Sequence, residues 1–182
     1  MPLYHFSDRP NIAVFEPHVA PTSVRDEAYV WAINDWHAPM YFVPRDCPRA
    51  CFWPGPATTA ADRERFFGGV NARMVMAVES RWLDRIRSAT LYRYRMPEEP
   101  FALIDATAGH WISREAVRPL GCDRIDDLLG ALAASGVELR LTPALIDLWR
   151  AVIAATMEFS GTRLRNAKGW DALAAELRNQ PG

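Results

Sequence analysis

Leu3-Tyr4-His5-Phe6 runs straight into Ser7-Asp8-Arg9-Pro10. The first four residues read as a short strand, and the next four as the turn that ends it. Similar β-forming runs recur at 29–33 (YVWAI), 50–53 (ACFW), 90–96, 101–104 and 110–112, and 115–118 is a further candidate. Helical signals lie between and after them. Asn34 is placed to cap a short helix with Pro39 in its first turn, and Thr59 caps 60–67, closed by Gly68-Gly69. Residues 80–88 put Trp82, Leu83 and Ile86 on one side of a helix, while 73–78 fits strand or helix equally well. Residues 18–27 read as a polar loop. Beyond residue 120, Asp123 caps a helix striped by Ile125, Leu128, Leu129 and Leu132, which ends at Gly136. A strand at 137–141 leads into Thr142-Pro143, the start of a helix reaching about residue 158. Ser160-Gly161 breaks that helix, and 170–177 is a short final one. This order predicts one α+β domain over 1–182, with a β-rich portion at 3–120 and a mainly helical remainder at 121–182.

Composition narrows the function classes without choosing one. Of 182 residues, 49% are hydrophobic and 24% charged, which excludes an intrinsically disordered chain. The balance of 21 basic and 22 acidic residues argues against a general DNA-binding field. The sequence lacks an apolar run of about 18 residues, so no membrane span is expected. The opening residues resemble neither a signal nor a transit peptide. Three cysteines, an odd number, point to reduced thiols and a cytoplasmic location. Lys168 is the single lysine among the 21 basic residues, which we read mainly as base composition of the genome.

Four groups of residues carry possible chemistry, each beside a plainer reading. Cys47 and Cys51 have a C-x3-C spacing that His37 and His110 would complete as a zinc site, yet they lack a second close pair, and no metal is expected. Cys47 between Arg45 and Arg49 has the positive surroundings of a thiol nucleophile, or those arginines simply pair with Asp46 and its neighbours. Arg163, Arg165, Asn166 and Lys168 lie in a glycine-containing loop between two helices. That loop and the Arg45/Arg49 pair are candidates for phosphate binding or for solvated basic surface. Trp31, Trp36, Tyr41 and Trp111 sit at strand ends and turns, where aromatic rings either stack on a flat ligand or pack in a core. Trp82 and Trp149 lie on helical stripes and are read as core.

Several of these segments fall in an order that resembles the ADP-ribosyltransferase-like fold. Tyr4-His5-Phe6-Ser7 resembles its opening Y-H-G-[ST] strand. Ile12, Phe15, Glu16 and Pro17 resemble the segment that follows, and Val30-Trp31-Ala32-Ile33 resembles the second strand. Residues 38–42 resemble the short helix after it, and 91–97 with Phe101 a later strand. Trp111-Ile-Ser-Arg-Glu115 resembles the strand that delivers the family's glutamate. The resemblance covers about 3–120. It implies a split β-sheet followed by a helical part, and NAD as substrate, with ADP-ribose passed to a macromolecular acceptor or NAD hydrolysed.

It also implies roles. His5 would hydrogen-bond a ribose hydroxyl, with Ser7 beside it. Trp31 or Tyr41 would stack on nicotinamide, Arg45 would reach the pyrophosphate, and Glu115 would stabilise the oxocarbenium-like transition state. Phe6 replaces the usual glycine, and Ser113 is not the acidic or amide residue of arginine- or asparagine-modifying types. A core histidine at position 5 and a surface charge at position 115 are the plainer alternatives. A non-catalytic nucleotide- or RNA-end-binding module of the same fold, or a protein-interaction domain, remain other readings. The whole chain is also similar to a small, functionally uncharacterised bacterial family carrying the segments P-R-D-C-P (44–48) and F-S-G-x-R-x-R-N-A (159–167).

Overall fold

A computed structural model describes residues 1–19 and 27–179. Among them are ten strands in two sheets and five α-helices, so the chain is α+β. Contacts divide it into two compact units, Met1–Arg45 with Arg87–Ala131, and Asp46–Ile86 with Leu132–Gly182. The division interleaves the chain and does not fall at residue 120.

The first unit holds a six-stranded antiparallel sheet. Its strands are β1 (Leu3–Ser7), β2 (Val30–Asn34), β5 (Leu91–Met96), β6 (Ala102–Asp105), β7 (His110–Ser113) and β8 (Gly121–Ile125), in the order β6-β7-β2-β1-β5-β8. β1 is central. Leu3 and Tyr4 face Asn34 and Ile33 of β2, and all five residues of β1 pair with β5. One face is buried by Leu3, Val30, Ala32, Tyr94 and Met96, under Phe15, Phe101 and Val117. Tyr94 fastens the covering segment. Its hydroxyl donates to the carbonyl of Arg9 at 2.7 Å and accepts the Ile12 N–H at 3.1 Å.

The second unit holds a four-stranded sheet in the order β10-β3-β4-β9. Its strands are β3 (Arg49–Trp53), β4 (Met74–Glu79), β9 (Val137–Thr142) and β10 (Glu158–Thr162). β4 is flanked on both sides and buried at all six positions. That burial resolves the ambiguity of 73–78, because a strand buried on both faces reads as a continuous apolar run rather than an alternating one. Helices α1 (Ala60–Phe67), α4 (Ile146–Ile153) and α5 (Trp170–Asn179) supply Phe66, Phe67, Ile146, Val152 and Leu173 to the core against Phe52, Val75 and Ala77. Trp82 is buried and Trp149 packs beside this cluster.

Three sequence expectations beyond residue 120 are corrected. Asp123 caps no helix. It lies in strand β8, where its carboxylate pairs across the ladder with Arg93 at 3.0 Å. The helix is α3 (Leu128–Ala134), and its first turn is held by Asp127, whose carboxylate accepts the Gly130 N–H at 2.8 Å. The helix expected to run to about residue 158 ends at Ile153, and Glu158–Thr162 is strand β10. Gly161 does not break structure there. A Cβ at Gly161 would stand 2.6 Å from side-chain atoms of both Leu164 and Trp149, so glycine permits a close approach within the strand. Among the described residues beyond 120, three α-helices hold most of the regular structure, three strands, β8, β9 and β10, stand beside them, and the basic loop follows a strand. Residues 115–118 form no strand, and Val117 makes only an isolated bridge to Phe15. Of the expected 18–27 loop, His18 bridges Tyr29, and 20–26 lie outside the described residues.

Helix α1 follows its sequence signals. The Thr59 hydroxyl accepts the Asp62 N–H at 3.2 Å, and Gly68 closes the helix at φ 52°. Thr59→Ala should lower unfolding free energy by about 1 kcal/mol, measured by urea denaturation.

Candidate functional site

Side chains leave a strand alternately on its two faces, so His5 and Phe6 point in opposite directions. His5 faces the covered side. Its ring lies 4.5 Å from that of Phe15. Phe15 is tied in both directions to Val117, by N–H to carbonyl bonds of 2.8 and 2.9 Å. The His5 Nδ1 is 2.8 Å from the carbonyl oxygen of Trp31. A carbonyl only accepts, so Nδ1 carries the hydrogen and Nε2 is left as an acceptor. Burial pushes the His5 pKa down to about 4, opposed by the Trp31 carbonyl and reinforced by the charges of Arg45 and His18. The imidazole is therefore neutral at neutral pH, and it is half-buried.

The other residues singled out in the sequence divide around this point. Ser7 shares the His5 face by alternation, is buried, and accepts the Arg9 N–H at 3.1 Å in the turn that closes β1. Arg45 is exposed, and its charge reaches His5. Glu115 lies beyond the end of β7 in a turn built on Ser113, whose hydroxyl accepts the Glu115 N–H at 3.0 Å and donates to its carbonyl at 2.9 Å. Its side chain is exposed. The Phe15–Val117 bridge brings the Glu115 segment alongside the cover over His5. Trp31 and Tyr41 are on the opposite face with Phe6. The Phe6 and Tyr41 rings are parallel within 5° at 5.9 Å, and Trp31 stands edge-on to His110 at 6.0 Å. The structure thus places His5 and Ser7 on one side of the sheet and Trp31 and Tyr41 on the other, with the Arg45 charge near enough to act on His5.

Two further residues join this second cluster, His110, read from the sequence only as a candidate zinc ligand, and Asp105, not singled out there. The Tyr41 hydroxyl lies 3.1 Å from His110 Nε2, and His110 Nδ1 lies 4.0 Å from a carboxylate oxygen of Asp105. Asp105 and His110 are partners across the β6–β7 hairpin, and Asp105 also accepts the Ala108 N–H at 2.9 Å. A signal was present, since an Asp and a His flanking a short glycine-containing turn must face each other in a hairpin. Their proximity to Tyr41 depends on non-local pairing that no local pattern encodes.

The C-x3-C and basic-pair readings are corrected by burial. Cys47 and Cys51 are both buried, and desolvation pushes each thiol up to about 12, so neither forms a thiolate at neutral pH. His37 bonds Asn34 through Nδ1 at 2.8 Å, and Asn34 also accepts the His37 N–H, the turn its side chain was expected to cap. Among the described residues no group of three or more His, Cys, Asp or Glu is placed to hold a metal. Arg49 is 2% exposed and donates to the Cys47 carbonyl, so it is no surface phosphate arm. Arg163 takes a left-handed φ of 55° and is half-buried, whereas Arg165 and Lys168 are exposed.

The missed residue of the second unit is Glu79, which is fully buried. Its carboxylate accepts the Lys168 backbone N–H at 2.7 Å and the Arg81 Nε–H at 2.8 Å. Arg81 also donates to the Asn166 carbonyl, and the Asn166 amide donates to the Asp46 carbonyl at 2.8 Å. Segments 44–48 and 159–167 are thereby joined through Asn166, which Arg81 links to the Glu79 carboxylate.

These observations define an α+β protein with polar groups mounted on both faces of one antiparallel sheet. The chain belongs to the family of unknown function DUF6886, whose model matches residues 4–167, a span that includes His5, Tyr41, Glu79 and His110. No curated protein and no solved structure matches it.

Two outcomes follow. Glu79→Ala should cost about 1–3 kcal/mol, read by denaturant unfolding, because the Lys168 backbone N–H loses its acceptor while the exposed Arg81 guanidinium turns to water. His5 has a folded pKa below its unfolded value of 6.5, so the folded state resists protonation. Stability should fall as pH drops from about 6.5 toward 4, by at most about 1.4 kcal/mol per unit. His5→Gln should flatten that part of the profile, measured by thermal unfolding at a series of pH values.

Proposed function

We propose that the chain binds NAD as an ADP-ribosyltransferase-like protein, and transfers ADP-ribose to a macromolecular acceptor or hydrolyses NAD. The observation that carries the reading is the state of His5. Its Nδ1–H is committed to the Trp31 carbonyl, and its neutral Nε2 is an acceptor on a half-buried ring. A ribose hydroxyl is the kind of donor such an acceptor takes. Arg45, exposed and electrostatically close, would meet the pyrophosphate. Glu115 would supply the carboxylate that faces positive charge as nicotinamide leaves. The finer fold reading, a split sheet of ADP-ribosyltransferase-like type, belongs to this proposal. The division of the β-structure into two sheets, with the histidine strand beside β2, supports it.

A second reading has its own support. Trp31 and Tyr41 lie on the face opposite His5, so one ligand would not meet both the stacking rings and the histidine. That favours a non-catalytic module binding a nucleotide or RNA end through His5 and Arg45.

Thermal unfolding with and without millimolar NAD separates these readings. A ligand at 100 times its dissociation constant adds about 2.7 kcal/mol, a shift of several degrees. We expect a shift that His5→Ala removes, and release of nicotinamide that Glu115→Gln removes while binding persists. Binding without release selects the module. No shift in the wild-type chain overturns NAD as the ligand.

A further inference from the structure

We propose that Tyr41, His110 and Asp105 form a second site, in which His110 takes the proton of Tyr41 and makes its oxygen a nucleophile toward an electrophilic centre carried on a flat aryl group. This goes beyond the NAD reading, because the site lies on the face of the sheet that His5 does not use.

The geometry has the three parts that an activated hydroxyl needs. The nucleophile and its base are in hydrogen-bond reach, Tyr41 Oη to His110 Nε2 at 3.1 Å. A third group faces the base, the Asp105 carboxylate, at an ion-pair distance of 4.0 Å from Nδ1. That carboxylate favours the tautomer with hydrogen on Nδ1, which leaves Nε2 to accept from the phenol. The scaffold is rigid where it matters. Asp105 and His110 are cross-strand partners, and Tyr41 closes a short 3-10 helix (Ala38–Tyr41) with Pro39 in its first turn. Both ends are half-buried, so the phenol is sheltered without being sealed.

The surroundings set the ligand class. Phe6 lies parallel to Tyr41, Trp31 stands perpendicular to His110, and Tyr29 stands perpendicular to Trp31. Such a wall offers faces and edges to another planar ring.

The step balances as follows. The Tyr41 oxygen bonds to the electrophilic atom, and the bond to its leaving group breaks with the electron pair. The phenol proton moves to His110 Nε2, and Asp105 faces the resulting imidazolium. With benzenesulfonyl fluoride as the probe, an S–O bond forms at Tyr41 and fluoride departs.

The test is to treat the full chain with benzenesulfonyl fluoride and follow modification at each tyrosine by mass spectrometry. Tyr41 should be modified faster than Tyr4, Tyr29, Tyr92 and Tyr94, a comparison that needs no variant. His110→Ala should slow Tyr41 modification by about 100-fold, the usual scale of a lost general base. Free imidazole should restore the rate in that variant, which it would not do if His110 only packed. Modification of Tyr41 no faster than of the other four overturns the proposal. So does a His110→Ala rate equal to wild type, or a slowed rate that imidazole leaves unchanged.

Discussion

β1 is hydrogen-bonded on both edges, to β2 and to β5, and its side chains must therefore leave alternately above and below the sheet. This single constraint sorts the chemistry of the first unit. His5 is forced under Phe15 and beside Tyr94, where water is scarce and a backbone carbonyl fixes its tautomer. Phe6, one residue on, is forced to the other side, where it becomes the floor on which Tyr41 and Phe42 rest. A shift of register by one residue would exchange the two environments. Tyr94, whose hydroxyl pins the covering segment, is the His5 partner on β5, so the ladder and the cover reinforce the same register.

The second unit is organised by a different physical necessity. A carboxylate with no exposure needs its oxygens answered, and Glu79 finds its donors in Arg81 and the backbone of Lys168. Because Arg81 continues to Asn166, and Asn166 to Asp46, two stretches far apart in the chain are held in one geometry.

What could be read from residues alone follows from what is local. Thr59 before an amphipathic octet, the alternation of 91–96 and the strand at 3–7 are local signals, and each element lies where those signals put it. The errors are equally physical. Asp123 is an excellent cap residue, but the five-residue β5–β8 ladder takes it into a strand, where it faces Arg93. Gly161 looks like a breaker until the indole of Trp149 is placed against it. For the site, the types of residue were legible and their grouping was not. His5 and Tyr41 sit close in sequence order of the elements, yet the pleat separates them. Tyr41 and His110 are distant in sequence, yet the β2–β7 pairing places the hairpin beside the short helix.

The depth at which the thiols are placed has a practical side. Cys47 and Cys51 are enclosed in the second unit and stay protonated, whereas Cys122 is exposed on β8, the edge strand of the six-stranded sheet. The chain thus arrives with one addressable sulfur. A maleimide dye or spin label would attach at Cys122 alone, at a known strand position of the sheet that carries His5 and His110, with no cysteine to remove beforehand.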